Sequence, residues 1–213
     1  LFALLIAVVI GIPLGMLAGF RPESITAKTI MSGSILGFSL PSFWVGIMMM
    51  VLFAVHLGWL PSTGRGPTSE WFGIEVSFTS WKGISYLLMP AINLSLFKLA
   101  LVIRLARAGT REVVHQDYIK FARAKGLSGR RIVLVHVLKN ILIPVVTVLG
   151  LEFGGLVAFS IVTETVFAWP GMGKLLIDSI GMLDRPVIVA YLMIIVFLFV
   201  IINLVVDVLY SIL

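Results

Sequence analysis

The chain contains no cysteine, which excludes disulfides, thiolate metal sites and cysteine nucleophiles. It is also poor in charge. Only 12% of its 213 residues are charged while 60% are hydrophobic, a balance that a soluble domain carries only by exposing large apolar surface. Its three histidines, His56, His115 and His136, are not paired at metal-ligand spacing, so a metal centre has no support. The serines of the SWKG and SGS segments lack a positioned base, which leaves no nucleophile constellation. GMGKLL lacks the spacing of a phosphate-binding loop, so the chain holds no ATP site of its own.

What is present is a series of apolar stretches, each of a length suited to a bilayer. Residues 1–20 form an uncharged run of membrane-spanning length, with Gly11, Pro13 and Gly15 expected to bend it at a packed interface. A second apolar segment, 30–60, is interrupted at Ser39, Leu40, Pro41 and Ser42, where proline removes a backbone donor, and reads as one bent span. Further spans are expected over about 84–103, 141–162 and 187–209. Between them, 61–81 and 163–186 have the Gly, Pro, Ser and mixed-charge content of loops outside the bilayer. In the first of these loops Trp71 and Trp81 suit the membrane interface.

Charge of one sign is concentrated. Of 16 Lys and Arg, nine fall between Arg104 and Lys139: Arg104, Arg107, Arg111, Lys120, Arg123, Lys125, Arg130, Arg131 and Lys139. Basic loops stay on the cytoplasmic side, so this placement of the +6 net charge points to membrane orientation rather than to nucleic acid. Alternation then puts Leu1 outside and Leu213 inside. A chain starting outside without an export signal implies at least one span upstream, so the 213 residues read as a trimmed core.

The basic segment is patterned. Val113, Val114, Tyr118, Phe121 and Ala122 recur at helical spacing from Glu112 to Ala124, which predicts an amphipathic helix. Gly126 ends it, and Ser128 is suited to cap a second short helix, with Leu127 and Ile132 at the positions of a hydrophobic staple. Composition alone leaves two readings, a helix lying on anionic lipid or a projecting element that needs a partner.

DYIKFARAKGLSGRRIVLVHVLKNILIP resembles the cytoplasmic loop of binding-protein-dependent ABC importer permeases, in the form shared by dipeptide, oligopeptide, nickel and glutathione systems. SLPSFWVGI at 39–47, LGWLPSTG at 57–64, TETVFAWPGMGKLLIDSI at 163–180 and NLVVDVLYSIL at 203–213 extend the resemblance over nearly the whole chain. The broader family pattern departs here. With its glycine aligned on Gly126, Lys120 and Phe121 stand where Glu and Ala are usual, and Lys139 replaces a proline. No residue inherits that glutamate's role.

The resemblance implies an all-α polytopic bundle of the MetI-like permease type, with five spans and a cytoplasmic coupling loop at 112–139 inside a single permease domain, 1–213. It implies a second homologous permease, two cytoplasmic ATPase subunits that bind ATP and Mg, and an external solute-binding protein, all set in membrane lipid. It favours peptides over nickel as solute. The expected coupling residues are Ala122, Gly126, Leu127 and Ser128, with Arg123, Arg130 and Arg131 pairing to acidic ATPase residues or lipid. Two other classes stand beside it: an ion-gradient-driven secondary transporter and an intramembrane enzyme.

Three ionisable groups fall inside apolar spans, where charge is costly. Glu152, mid-span beside Gly154 and Gly155, is a candidate for lining the passage. Lys98 is long enough to snorkel toward the inner surface, which favours a structural role beside a possible place on the passage. Asn203 and Asp207, four apart, suit an interhelical polar clamp. In the 163–186 loop, Trp169, Pro170 and Gly171 predict a turn before an apolar run, 172–180, too short to span. That run folds back either as a scoop at the mouth or as a helix packed on the bundle, and Trp169, Asp178 and Asp184 are the candidates there for binding-protein contact.

Overall fold

The computed structural model describes residues 2–71 and 74–212. Among the described residues, four helices are long and apolar enough to cross a membrane: Phe2–Phe20, Trp81–Val114, Gly129–Leu151 and Arg185–Ser211. The pair Ile25–Ser39 and Ser42–His56 makes a fifth if counted as one broken span. The break falls at Leu40 and Pro41, as the proline requires. The contacts divide the chain into two compact units.

The first unit comprises Leu1–Ser39, Leu96–Glu152 and Val200–Leu213. It contains α1 (Phe2–Phe20) and α2 (Ile25–Ser39). It also contains the second part of the long helix α4 (Trp81–Val114), then α5 (Asp117–Ala124), α6 (Gly129–Arg131) and α7 (Leu138–Leu151). Glycines at a four-residue interval let α1 lie against α4. A Cβ at Gly11 would stand 2.8 Å from Val102 Cγ1, one at Gly15 2.6 Å from the Ala106 Cβ, and one at Gly19 2.5 Å from the Thr110 Cβ. With little hydrophobic drive between helices in lipid, such close backbone approach supplies the packing energy. Ala7, Ile12, Met16, Val102, Ala106, Val113, Ile119, Ala122, Ile132, Val137, Ile141 and Val145 form the core.

The second unit comprises Leu40–Ser95 and Phe153–Phe199. It holds α3 (Ser42–Met49), continued by a π-helical segment Met50–His56, the first part of α4, α8 (Phe153–Val166), α9 (Met172–Gly181) and the first part of α10 (Arg185–Ile212). Gly46 lets α3 approach Phe167 and Val166, where a Cβ would be 3.2 Å from each. The buried Asn93 amide donates to Thr163 Oγ1 at 3.2 Å. The segment before α4 contains an antiparallel strand pair, β1 (Ser69–Trp71) with β2 (Ile74–Val76), which its composition alone does not announce. Trp71 meets Phe78 edge-on at 5.8 Å, and both Trp71 and Trp81 are exposed.

Four expectations change. The third span runs on to Val114, 34 residues and roughly 51 Å at 1.5 Å per residue, so Arg104, Arg107 and Arg111 belong to a helix and not to a loop. Their side chains are long enough for the helix to leave the bilayer without breaking. The second helix of the basic segment is not short: Gly129–Leu151 is one apolar helix with a π-helical stretch at Ile132–Val137, because nothing from Gly129 to Ile143 stops it. The fourth span therefore lies at 129–151 rather than 141–162, and the helix is interrupted at Glu152. Finally, α8 continues to Val166, so the connection to α9 opens at Phe167 rather than at Thr163. Pro13 is carried within the continuous helix α1.

Candidate functional site

The basic segment is built as a rigid elbow. After α4 ends at Val114 the helical phase is reset over His115 and Gln116, and α5 begins with Asp117. Lys120 Nζ donates to Asp117 at 2.8 Å, and that bond and charge hold the Asp117 carboxyl below its usual range. At the other end Gly126 has φ +74°, its amide donates to Arg123 O at 2.9 Å, and Leu127 N donates to Ala122 O at 3.2 Å. These two bonds are the Schellman closure, in which a left-handed glycine satisfies the last carbonyls of a helix. Ser128 then caps α6, its Oγ accepting from Arg131 N at 3.4 Å. Ile119, Ala122 and Ile132 are buried, and Leu127 packs against the same core.

Two aromatics face the opposite way. Tyr118 and Phe121 are exposed, and Lys125 Nζ lies 4.6 Å from the Phe121 ring. Partial desolvation, then the Glu112 charge, push the Tyr118 hydroxyl above its usual range. Helical spacing counted without interruption from Glu112 puts Tyr118 and Phe121 on one face with Val113, Val114 and Ala122. The phase reset at His115 and Gln116 reverses that, and Ile119 takes the inward place with Ala122. Arg123, Ser128, Arg130 and Arg131 are exposed.

A second constellation joins α4 to the end of α7. Lys98 on α4 is buried, and its ammonium donates to the Glu152 carboxylate, 54 residues away in sequence. Glu152 ends α7 and keeps 35% of its side chain exposed. Lys98 therefore does not snorkel: its charge is answered by a carboxylate and by the C-terminal end of α7, where the helix dipole favours a cation. The neighbouring Phe97 ring stacks on Phe38 at 4.6 Å, and the Arg104 guanidinium covers Phe38 at 4.7 Å. Asp207 is exposed.

The 163–186 region is held by Glu164. Its carboxylate accepts from Lys174 N at 2.9 Å, in the first turn of α9. A Cβ at Gly171 would run into that carboxylate, and one at Gly173 would come within 3.0 Å of it and 2.6 Å of Ile161 Cγ1, so only glycine admits this approach. Trp169 is half-buried, its amide donating to Glu164 O at 2.8 Å. Asp178 is exposed on α9, while Asp184 Oδ1 accepts from Val187 N at 3.3 Å and so caps α10. The Asp-Arg-Pro order at 184–186 was the available signal for that cap.

The family described as binding-protein-dependent transport system inner membrane component matches residues 11–213. The chain belongs to this permease family. It is 40% identical to the di/tripeptide transport system permease protein DppB of Pseudomonas aeruginosa, over 99% of this chain and 66% of that one. It is 37% identical to the dipeptide transport system permease protein DppB of Escherichia coli K12, covering 98% and 66% respectively. It is 38% identical to the oligopeptide transport system permease protein AppB of Bacillus subtilis, covering 100% and 65%. The chain thus spans about two thirds of the length of these relatives. Its fold is similar to the MetNI methionine ABC transporter in inward facing conformations, with a TM-score of 0.71 at 20% identity, over 97% of this chain and 87% of that one.

The expected coupling residues lie together in one elbow, and Lys98 with Glu152 forms one ion pair. Trp169, Asp178 and Asp184 flank or lie on α9. The role of Glu164 escaped the sequence, although a lone acid followed by two spaced glycines before a short apolar run is the pattern that encodes it.

Proposed function

We propose that the chain is the core of a permease subunit of an ATP-driven importer, forming half of the path by which dipeptides, oligopeptides or similarly small solutes cross the bacterial inner membrane. What carries the reading is the 40% identity to a di/tripeptide transport permease sustained over 99% of the chain. The elbow supports it physically. A conformational change in a cytoplasmic ATPase reaches the spans only through a stiff element, and α5 is closed by a Schellman turn and bedded by Ile119 and Ala122 in the same core as α1, α4 and α7.

In this reading the elbow faces the cytoplasm, where Tyr118 and Phe121 enter a groove of the ATPase and Arg123, Arg130 and Arg131 pair with acidic residues at its rim. Ala122 and Leu127 set the shape of the joint from inside. The partners are a second homologous permease, two ATPase subunits that hold ATP and Mg, and an external solute-binding protein that docks near α9, where Trp169 and Asp178 are placed. Lys98 and Glu152 give the passage wall a neutralised charge pair with one carboxylate partly open.

Reconstitution tests this. The full-length protein alone in proteoliposomes is expected to show neither ATP hydrolysis nor dipeptide uptake, and to support both when the second permease, ATPases and binding protein are added. Uptake by the protein alone, driven by an ion gradient, overturns the reading.

A further inference from the structure

Arg104 is a charge on the apolar helix α4 that coupling at the elbow does not use. Its side chain is half-buried, and none of the acids among the described residues pairs with it. It is nevertheless fixed. Its Nε donates to Ala100 O at 3.3 Å, and its guanidinium lies 4.7 Å over the Phe38 ring, which stacks on Phe97 at 4.6 Å. One N–H is thus spent on the helix and one face on the ring, which leaves the edge formed by Nη1 and Nη2. That edge is the fork that takes a carboxylate through two parallel hydrogen bonds. A half-buried guanidinium without a counter-ion is costly in an apolar segment, and the cost falls when an anion docks on it.

The fork does not stand alone. Phe97 is followed by Lys98, whose Nζ is 5.2 Å from the Phe97 ring and which holds the Glu152 carboxylate. Contacts therefore run from Arg104 through Phe38, Phe97 and Lys98 to Glu152, all within the first unit. Lys98 and Arg104 are separated along α4 by roughly 9 Å at 1.5 Å per residue. An extended peptide of two or three residues is about 7–10 Å long. This face of α4 is also open. Phe97, Leu101, Arg104 and Ala108 recur at helical spacing, whereas α1 lies against Val102, Ala106 and Thr110 and α7 against Gly109. Ala108 is exposed, and Phe38 is 42% exposed.

A base with an open fork, an aromatic pair and, about one short peptide away, a partly exposed acid match a zwitterion with an apolar middle. We propose that this line is a solute subsite of the permease: Arg104 takes a peptide's terminal carboxylate, Phe38 and Phe97 an apolar side chain, and Glu152 the terminal ammonium. The proposal rests on the importer reading and adds to it the two peptide termini as the groups recognised. A lipid phosphate would answer Arg104 but has no use for the open carboxylate at the other end, which is why the peptide is favoured.

The test is equilibrium binding of labelled alanyl-phenylalanine to the full-length permease, assembled with its second permease and ATPases in nanodiscs. The binding protein is omitted, so that it does not select the solute. Wild type is expected to bind the free dipeptide about tenfold or more tighter than its C-terminal amide, the size of a hydrogen bond to a charged group. N-acetylation of the dipeptide is expected to weaken binding as well. Arg104→Gln is expected to bring acid and amide to the same affinity, Arg104→Lys to keep part of the preference, and Arg130→Gln on the elbow to keep all of it. Acid and amide bound equally by wild type, or a preference that survives Arg104→Gln, overturns the proposal. So does a wild-type complex that binds no dipeptide. Retention of phosphatidylglycerol that is lost in Arg104→Gln while dipeptide binding is unchanged overturns it too, since the fork then belongs to lipid. Uptake by the complete transporter, measured in parallel, survives if the subsite alone is wrong and fails if the importer reading is wrong.

Discussion

Replacing Gly126 separates a conformational joint from a steric seat. Its φ of +74° lies in the left-handed region, and a Cβ added there would meet nothing within 4 Å. A Cβ there therefore clashes with none of the described residues, and its effect within the chain is backbone strain. An L-residue in this region costs about 1–2 kcal/mol, and a β-branched one falls toward the upper end of the range of about 1–3 kcal/mol for strained backbone. Two kcal/mol is a factor of roughly 30 in the population of the closed turn. The bonds at stake are Gly126 N to Arg123 O and Leu127 N to Ala122 O, which aim Ser128 and the start of α6. Asn tolerates this conformation better than Ala, and Val tolerates it least. The expected order for solute-stimulated ATPase activity and uptake is thus Gly, then Asn, then Ala, then Val, at equal expression and with permease pairing intact. Were Gly126 needed only to let a partner approach, size would rule, and Ala would outperform Asn. An Ala variant better than Asn refutes the conformational account, and normal uptake by Gly126→Val removes Gly126 from coupling altogether.

Three further outcomes are expected. Glu152→Gln leaves Lys98 buried and unpaired, and should cost about 3–5 kcal/mol in tryptophan-monitored unfolding. Lys98→Met, which leaves a carboxylate that is 35% exposed, costs less, and the double variant Lys98→Met with Glu152→Met recovers most of the loss; additive losses would show the pair is not coupled. Phe121→Ala, at a side chain 61% exposed, should leave thermal stability unchanged while weakening ATPase association about tenfold or more, as an aromatic anchor does; unchanged association means α5 presents another face. Glu164→Gln removes the charged acceptor for Lys174 N, an end-of-helix effect of about 0.5–2 kcal/mol, and should speed hydrogen exchange at Lys174 and proteolysis near Trp169; unaltered exchange shows α9 is held without it.

What the sequence made legible divides along the range of the interactions. The first and last spans, the break at Pro41 and the turn at Gly126 with its cap at Ser128 are encoded within a few neighbouring residues, through hydropathy, a missing amide or a cap, and each lies where the residues indicate. The face of α5 was not legible, because periodicity assumes a constant phase and two residues, His115 and Gln116, sufficed to reset it. The ends of α4 and of the fourth span were not legible either, since apolar content marks where a helix meets lipid and says nothing of where hydrogen bonding stops.

Lys98 and Glu152 show the intermediate case. Each is visible alone as an expensive charge in an apolar segment, and taken singly each invites its own remedy, snorkelling for the lysine and a water-filled passage for the acid. Their signs are opposite, however, and a membrane penalises two separated charges far more than one pair. A lysine in an apolar span had two acids to meet, Glu152 and Asp207, and it meets Glu152. What no local pattern supplies is the asymmetry of the meeting: the lysine is sealed, while the acid keeps 35% of its side chain exposed.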